Sequence, residues 1–226
     1  MREPRYLYQG DFSGWRDALE RDLPHVECCF QPGDKLWELG SFIDYMYYLD
    51  AGVVKTAVVH EDGRVKVLYF SGAGSVYPGC HEARFAIELS IVSTAVTKLR
   101  ALRFRRTDFH AYALRNPRLL SDMLELYASW INLHIYESAH QGYNSAYRRL
   151  CNLLLLMAGD ASSGRIDLTQ QDLADILLLE REVVSRALAR LRTEGLVATR
   201  RGWLEVKDKA RLAALCSFET SGGEIA

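Results

Sequence analysis

Between Glu27 and Phe104 apolar and polar residues alternate in short runs, each broken by a turn signal. A period of two is how strands with one buried and one wet face read. Pro32-Gly33-Asp34 presets one turn, Gly40 follows a short strand, and Ala51-Gly52 separates Tyr45–Asp50 from Val53–His60. Glu61-Asp62-Gly63 joins that strand to Arg64–Phe70, in a hairpin whose Val54, Thr56, Val58 and His60 are expected to share one face. Short strands linked by hairpins predict an antiparallel β jelly-roll barrel or sandwich.

After Pro117 the period becomes helical. Leu120, Leu124, Tyr127, Ile131 and His134 lie in one seam, and Leu119, Met123, Leu126, Trp130 and Leu133 in a second beside it. One seam can pack on the barrel while the other meets a partner helix, so a homodimer is expected. Gln141-Gly142-Tyr143-Asn144-Ser145 is expected to interrupt this helix, which resumes from Ala146 to Ala158.

Thr169 precedes Gln170-Gln171-Asp172 and can cap a helix covering Asp172 to Leu177, with Leu173 and Ile176 pointing inward. A break at Leu178-Leu179 leads to a second helix, Glu180 to Thr193, with Val183, Val184, Leu188 and Leu191 as its apolar stripe and Gly195 at its end. Leu196 to Val206 then reads as strand, Arg-Arg-Gly turn, strand. Two short helices followed by a hairpin make a winged helix-turn-helix, whose second helix enters the DNA major groove by its N-terminal end. The fold class expected is therefore α+β. A β-barrel effector-sensing domain covers 1–116, a dimerisation helix and hinge 117–143, and a DNA-binding domain 144–226.

Composition narrows the function. With 226 residues, 49% hydrophobic and 25% charged, the chain is globular. The start after Met1 lacks a secretory pattern and the longest apolar run, Leu153 to Gly159, is too short to span a bilayer, so a cytoplasmic protein without membrane contact is expected. Five cysteines, odd in number and without Cys-x-x-Cys spacing, give no disulfide framework and no metal site. A net charge of −1 hides a local excess, since Arg181 to Arg201 contains six arginines against two glutamates. Glu182, Ser185 and Arg186 share one exposed face of the second helix. Arginine grips guanine O6 and N7, glutamate accepts from cytosine N4, and serine reaches base or phosphate, so these three are the expected base contacts. Thr169, Gln171, Arg181, Arg200 and Arg201 are the expected phosphate contacts.

Leu168-Thr169-Gln170-Gln171-Asp172-Leu173-Ala174-Asp175-Ile176 followed by Arg181-Glu182-Val183-Val184-Ser185-Arg186-Ala187-Leu188 closely resembles the signature of the Crp/Fnr superfamily of bacterial regulators. Phe30-x-Pro-Gly-Asp34, Gly40, Tyr47 to Lys55 and Glu61-Asp62-Gly63-Arg64 resemble that family's cyclic-nucleotide-binding-type barrel, so the resemblance covers nearly the whole chain. It implies half-sites like TTGA read by Glu182, Ser185 and Arg186, with RNA polymerase as a candidate partner. Glu180 departs from the Ser or Thr that usually caps the family's recognition helix.

The cyclic-nucleotide cassette, a Gly-Glu before and an Arg-Ser/Thr-Ala after a short phosphate-binding helix, is absent from Gly74 to Phe85, so cyclic AMP is not expected as effector. Tyr77-Pro78-Gly79 amid several tyrosines resembles the subgroup that answers to aromatic organic molecules. Tyr77, Cys80, His81 and Arg84 are the expected lining of the effector site, with Tyr127 and Trp130 close enough to sense it. No cofactor is expected. Haem or redox sensing through Cys80 and His81 is the alternative. An enzyme using the same pair and a non-DNA module built on the arginine helix are the rival classes.

Overall fold

The computed structural model describes residues 4–79, 84–159 and 164–216. The alternating stretch forms two four-stranded sheets instead of one closed barrel. The first runs β1 (Leu7–Tyr8), β5 (Val65–Gly72), β4 (Val53–Val59), β7 (Ile91–Ala95), and the second β2 (His25–Phe30), β8 (Leu99–Arg105), β3 (Tyr45–Ala51), β6 (Val76–Tyr77). All pairings are antiparallel except β1 with β5, which is parallel. Both sheets bury apolar residues, among them Tyr8, Val54 and Val67 from one and Met46, Tyr47, Leu99 and Phe104 from the other.

The common face expected for Val54, Thr56, Val58 and His60 does not run the length of β4. The register of β4 against β5 shifts where β5 passes over Leu68, between the pairs Thr56–Tyr69 and Ala57–Val67; along β4, Val54, Thr56 and Ala57 are buried while Val58 is half-buried and His60 exposed. The extra residue belongs to β5, so the bulge reverses faces along β5, while β4 keeps an unbroken register against β7 from Val54 to Val58.

Helix α1 (Arg16–Asp22) precedes the sheets, and α2 (Arg106–Arg115) and α3 (Pro117–Tyr143) follow them. Proline opens α3 where its missing N–H costs nothing. Leu119, Met123 and Leu126 are 0, 1 and 4% exposed. Two hydrogen bonds bolt the helix down: Trp15 Nε1 donates to Asp122 Oδ2 at 2.7 Å, and the Tyr8 hydroxyl donates to the Ser129 carbonyl at 3.2 Å. The other seam stays open. Leu120, Leu124 and Ile131 are 36, 60 and 59% exposed, whereas Tyr127 and His134 of the same seam are half-buried; Ile135, outside the expected seam, is 64% exposed.

The helix runs on through Gln141 and Gly142, and the break is confined to Asn144 and Ser145. A glycine costs a helix only about 1 kcal/mol relative to alanine, too little to end one. Ser145 caps α4 (Ala146–Ala158), its Oγ accepting from the Arg148 N–H at 3.4 Å. By packing, Arg5–Asn132 make one compact unit and the residues from Leu133 onward belong to the other.

At the α3–α4 corner His140 is 4% exposed, and the Asn144 and Asn152 amides reach its Nδ1 at 2.8 and 2.6 Å. An Nδ1 that accepts belongs to a neutral ring. Burial first, and the Arg149 charge second, lower the His140 pKa. The unfolded chain therefore takes up this proton first as pH falls. The stability carried by the neutral ring is complete above about pH 6.5 and is lost as pH drops toward the folded value. The urea midpoint is expected to fall between about pH 7 and pH 5.5, and to fall less in His140→Gln. Equal slopes in the two proteins would rule out His140 as the source.

The second unit carries α5 (Gln170–Leu177), α6 (Arg181–Thr193), α7 (Lys209–Ala213) and a three-stranded sheet in the order β10 (Val197–Arg200), β11 (Trp203–Val206), β9 (Arg165–Ile166). Leu150, Leu154, Leu173, Ile176, Val184, Leu188, Leu191 and Leu204 form its core. Leu178 ends α5 with φ of 50°, a left-handed conformation, and is 48% exposed. For an L-residue that conformation costs roughly 1–2 kcal/mol, and glycine is spared it. Leu178→Gly is expected to stabilise the protein by roughly 1 kcal/mol, read as a rise in the urea midpoint; a fall would show that the half-exposed side chain packs more than the strain costs.

Candidate nucleic-acid interface

Thr169 caps α5 reciprocally. Its Oγ1 accepts from the Asp172 N–H at 3.1 Å, and Asp172 Oδ2 accepts from the Thr169 N–H at 3.0 Å. The left-handed Leu178 turns the chain, and α6 starts at Arg181 with Glu180 at the cap position. The Glu180 side chain makes no capping hydrogen bond, so the departure noted there leaves the first N–H groups of α6 without a side-chain acceptor.

Val184, Ala187, Leu188 and Leu191 are buried, Val183 is half-buried, and Arg181, Glu182, Ser185 and Arg186 are exposed. The three expected base readers thus stand on the open N-terminal face of α6. The wing closes over two residues, with Arg200 paired to Trp203 across Arg201-Gly202. Gly202 takes φ of +84°, which a tight hairpin turn demands and glycine supplies without strain.

The start of α5, α6 and the wing enclose a cleft of about 450 Å³. Thr169, Gln171, Arg181, Arg200 and Arg201 all line it, so the five expected phosphate contacts converge on one concavity. Among the described residues Arg181, Arg186, Arg200 and Arg201 are in no ion pair, which leaves their charges free for an anion. Arg190 is different. It pairs with Glu194 at 2.8 Å and lies over the Tyr147 ring at 4.2 Å, so this member of the arginine cluster serves the α4–α6 contact. Gln170, Thr199 and Trp203 also line the cleft and were not singled out from the sequence. The Arg165 guanidinium lies 4.5 Å over the Trp203 ring. Only the pairing of β9 with β11 brings Arg165 there.

The expected effector residues separate. Tyr77 is fully buried, its hydroxyl bonded to Thr56 at 3.0 Å and to Ser93, with its ring stacked on Trp37 at 5.6 Å. Tyr69, edge-on to Tyr77 at 6.3 Å, stacks on Trp130 at 4.8 Å, and Tyr127 lies 5.5 Å from Trp130. A Cβ on Gly79 would come within 3.2 Å of the Tyr127 ring. Burial drives the Tyr69 and Tyr77 hydroxyls well above the ordinary phenol range, so both stay protonated. Among the described residues Trp130 Nε1 is buried without a hydrogen-bond partner. Arg84 does not join this group; it pairs with Asp44 at 2.7 Å and covers Phe42 at 4.7 Å. Cys80 and His81 lie outside the described residues.

Among the described residues no helix is long and apolar enough to cross a membrane. Residues 148–215 match the sequence model of the Crp-like helix-turn-helix domain. The nitrogen fixation regulation protein FixK of Rhizobium meliloti (strain 1021) is 24% identical over 202 residues, covering 86% of this chain and 89% of FixK. The CRP-like cAMP-activated global transcriptional regulator of Mycobacterium tuberculosis (strain H37Rv) is 24% identical over 221 residues, 91% of each chain. Among solved structures, CprK complexed with OCPA superposes with a TM-score of 0.73 at 18% identity, covering 93% of this chain and 97% of CprK. Residues 148–215 thus match a Crp-like helix-turn-helix domain, and with its winged helix-turn-helix the chain is similar in sequence and fold to DNA-binding transcriptional regulators of the Crp/Fnr family.

Proposed function

We propose that the protein acts in the cytoplasm as a homodimer on a palindromic TTGA-like site, with Glu182, Ser185 and Arg186 reading bases and Thr169, Gln171, Arg181, Arg200 and Arg201 holding phosphates. The observation that carries this reading is the cleft that gathers those five residues beside the open face of α6. Phosphate contacts set the register, and the α6 face then meets base edges. The sheets form the sensing domain, α3 the dimerisation element, and the α3–α4 corner the hinge; RNA polymerase is the partner in transcription. Fluorescence anisotropy on a TTGA palindrome and a scrambled duplex, at several salt concentrations, tests it. Tight, salt-dependent preference for the palindrome is expected, and equal affinity for the two duplexes would refute specific reading.

The effector in this reading is a small, largely apolar or aromatic molecule held among Tyr69, Tyr127 and Trp130. A buried indole N–H with no acceptor costs free energy until a ligand supplies one, and phenols and aromatic acids carry both an acceptor and a ring that stacks. CprK, similar in fold, was solved with OCPA bound. Binding acts by favouring one of two existing arrangements of the chain. Calorimetry with phenols, aromatic acids, cyclic AMP and cyclic GMP decides the class. Micromolar binding of a cyclic nucleotide would overturn it, and a Soret band in the purified protein would put haem sensing in its place.

A further inference from the structure

Arg84 leads to a different site. In the unit formed by Arg5–Asn132, the ends of β3 and β8 meet the start of α2 around a cavity of about 490 Å³. Its walls include Arg84, Arg105, Arg106, Thr107, Asp44 and Tyr45, with His110 one turn further along α2. Tyr45 and Arg105 are cross-strand partners, so backbone register holds the aromatic wall and the guanidinium side by side. The Arg106 N–H donates to the Asp44 carbonyl at 2.9 Å, which ties the loop before β3 to the first turn of α2.

Charge around this cavity is unbalanced. Asp44 takes Arg84 at 2.7 Å, and buried Glu88 stands 3.6 Å from Arg106. Arg105 is exposed and has no acid partner among the described residues. Asp44 and Glu88 therefore face three guanidiniums, at the start of a ten-residue helix whose first turn also carries Asp108, which accepts from the Thr107 hydroxyl at 3.5 Å. Beside the cations stand two aromatic rings, Tyr45 and Phe42, each 40% exposed and each covered on one face by an arginine, Arg103 at 4.5 Å and Arg84 at 4.7 Å. A phosphate monoester suits this arrangement better than a carboxylate. Its three peripheral oxygens accept from several guanidinium forks at once, and its double charge answers the excess of cation.

We propose that this cavity is a second small-molecule site, which takes the phosphate group of a small phosphorylated compound. Arg105, which has no acid partner among the described residues, grips it, Arg84 closes on it, and Tyr45 lies against the organic remainder.

Isothermal titration at constant ionic strength, with phenyl phosphate and inorganic phosphate as separate probes, tests the proposal. Saturable binding of phenyl phosphate is expected, weakened at least tenfold in Arg105→Glu. Any binding at the wing cleft persists in that variant, so the difference between the two proteins reads this cavity alone. Arg105 is exposed and unpaired, so the variant is expected to keep the wild-type circular dichroism and affinity for duplex DNA. Tighter binding of phenyl phosphate than of inorganic phosphate assigns a monoester; equal affinity for the two overturns the role of Tyr45 and leaves the free ion as occupant. No saturable heat with either probe, or the same affinity in Arg105→Glu, overturns the site.

Discussion

Arg186→Ala is expected to cost about 1–3 kcal/mol of affinity on a TTGA palindrome and little on a scrambled duplex. The residue stands exposed on the N-terminal face of α6, in no ion pair among the described residues, so removing it frees no buried partner and leaves the fold untouched. What is lost is one bidentate contact to a base edge. Arg200→Ala makes the contrast. At the wing turn, lining the cleft with Arg201, it should weaken both duplexes alike and lower the slope of log affinity against log salt by about 1. Anisotropy titrations on the two duplexes over a salt series separate the effects. If Arg186→Ala weakens both duplexes equally, base reading does not belong to Arg186.

Ile131→Asp is expected to yield a folded monomer that has lost specific DNA binding. Ile131 is 59% exposed and Leu124 60%, on the seam of α3 opposite the buried Leu119, Met123 and Leu126, so an aspartate there finds water in the single chain. In a dimer the same carboxylate would be buried against a partner's apolar seam without a counter-charge, which costs several kcal/mol. Two recognition helices must stand about 34 Å apart to meet successive major grooves, and a lone subunit cannot supply the second. Sedimentation equilibrium with the palindrome titration checks both parts. A wild-type chain that sediments as a monomer at micromolar concentration, or a variant that stays dimeric, would remove α3 as the dimer contact.

Elements with local punctuation were legible. The start of α4 follows from Ser145 and the end of α6 from Gly195 just past its last turn; α5, expected from Asp172, opens two residues earlier at Gln170, directly after its Thr169 cap; the wing follows from Arg201-Gly202. In each the capping or turning residue satisfies backbone groups within four positions, so a short window of sequence contains the whole cause. The division of α3 into a buried and an open seam was legible for the same reason, because helical spacing alone sorts residues into faces.

Other features have causes spread along the chain. Strand β1 exists because Leu7 and Tyr8 pair with Phe70 and Ser71, more than sixty positions away. The bulge at Leu68 of β5 shows only in its pairing with β4, and the paired strand β9 depends on β11. The site divides along the same line. Which side chains of α6 are open could be read from its stripe, and that helix pair by itself carried the resemblance to Crp/Fnr regulators. That the five residues expected to contact phosphate converge on one cleft, that Arg190 is spent on Glu194 and Tyr147, and that Arg84 leaves Tyr77 for Asp44 and the start of α2 were decided only by tertiary structure. A residue's chemical capacity is local, whereas the partner that uses it is set by contacts whose sequence separation no periodicity records.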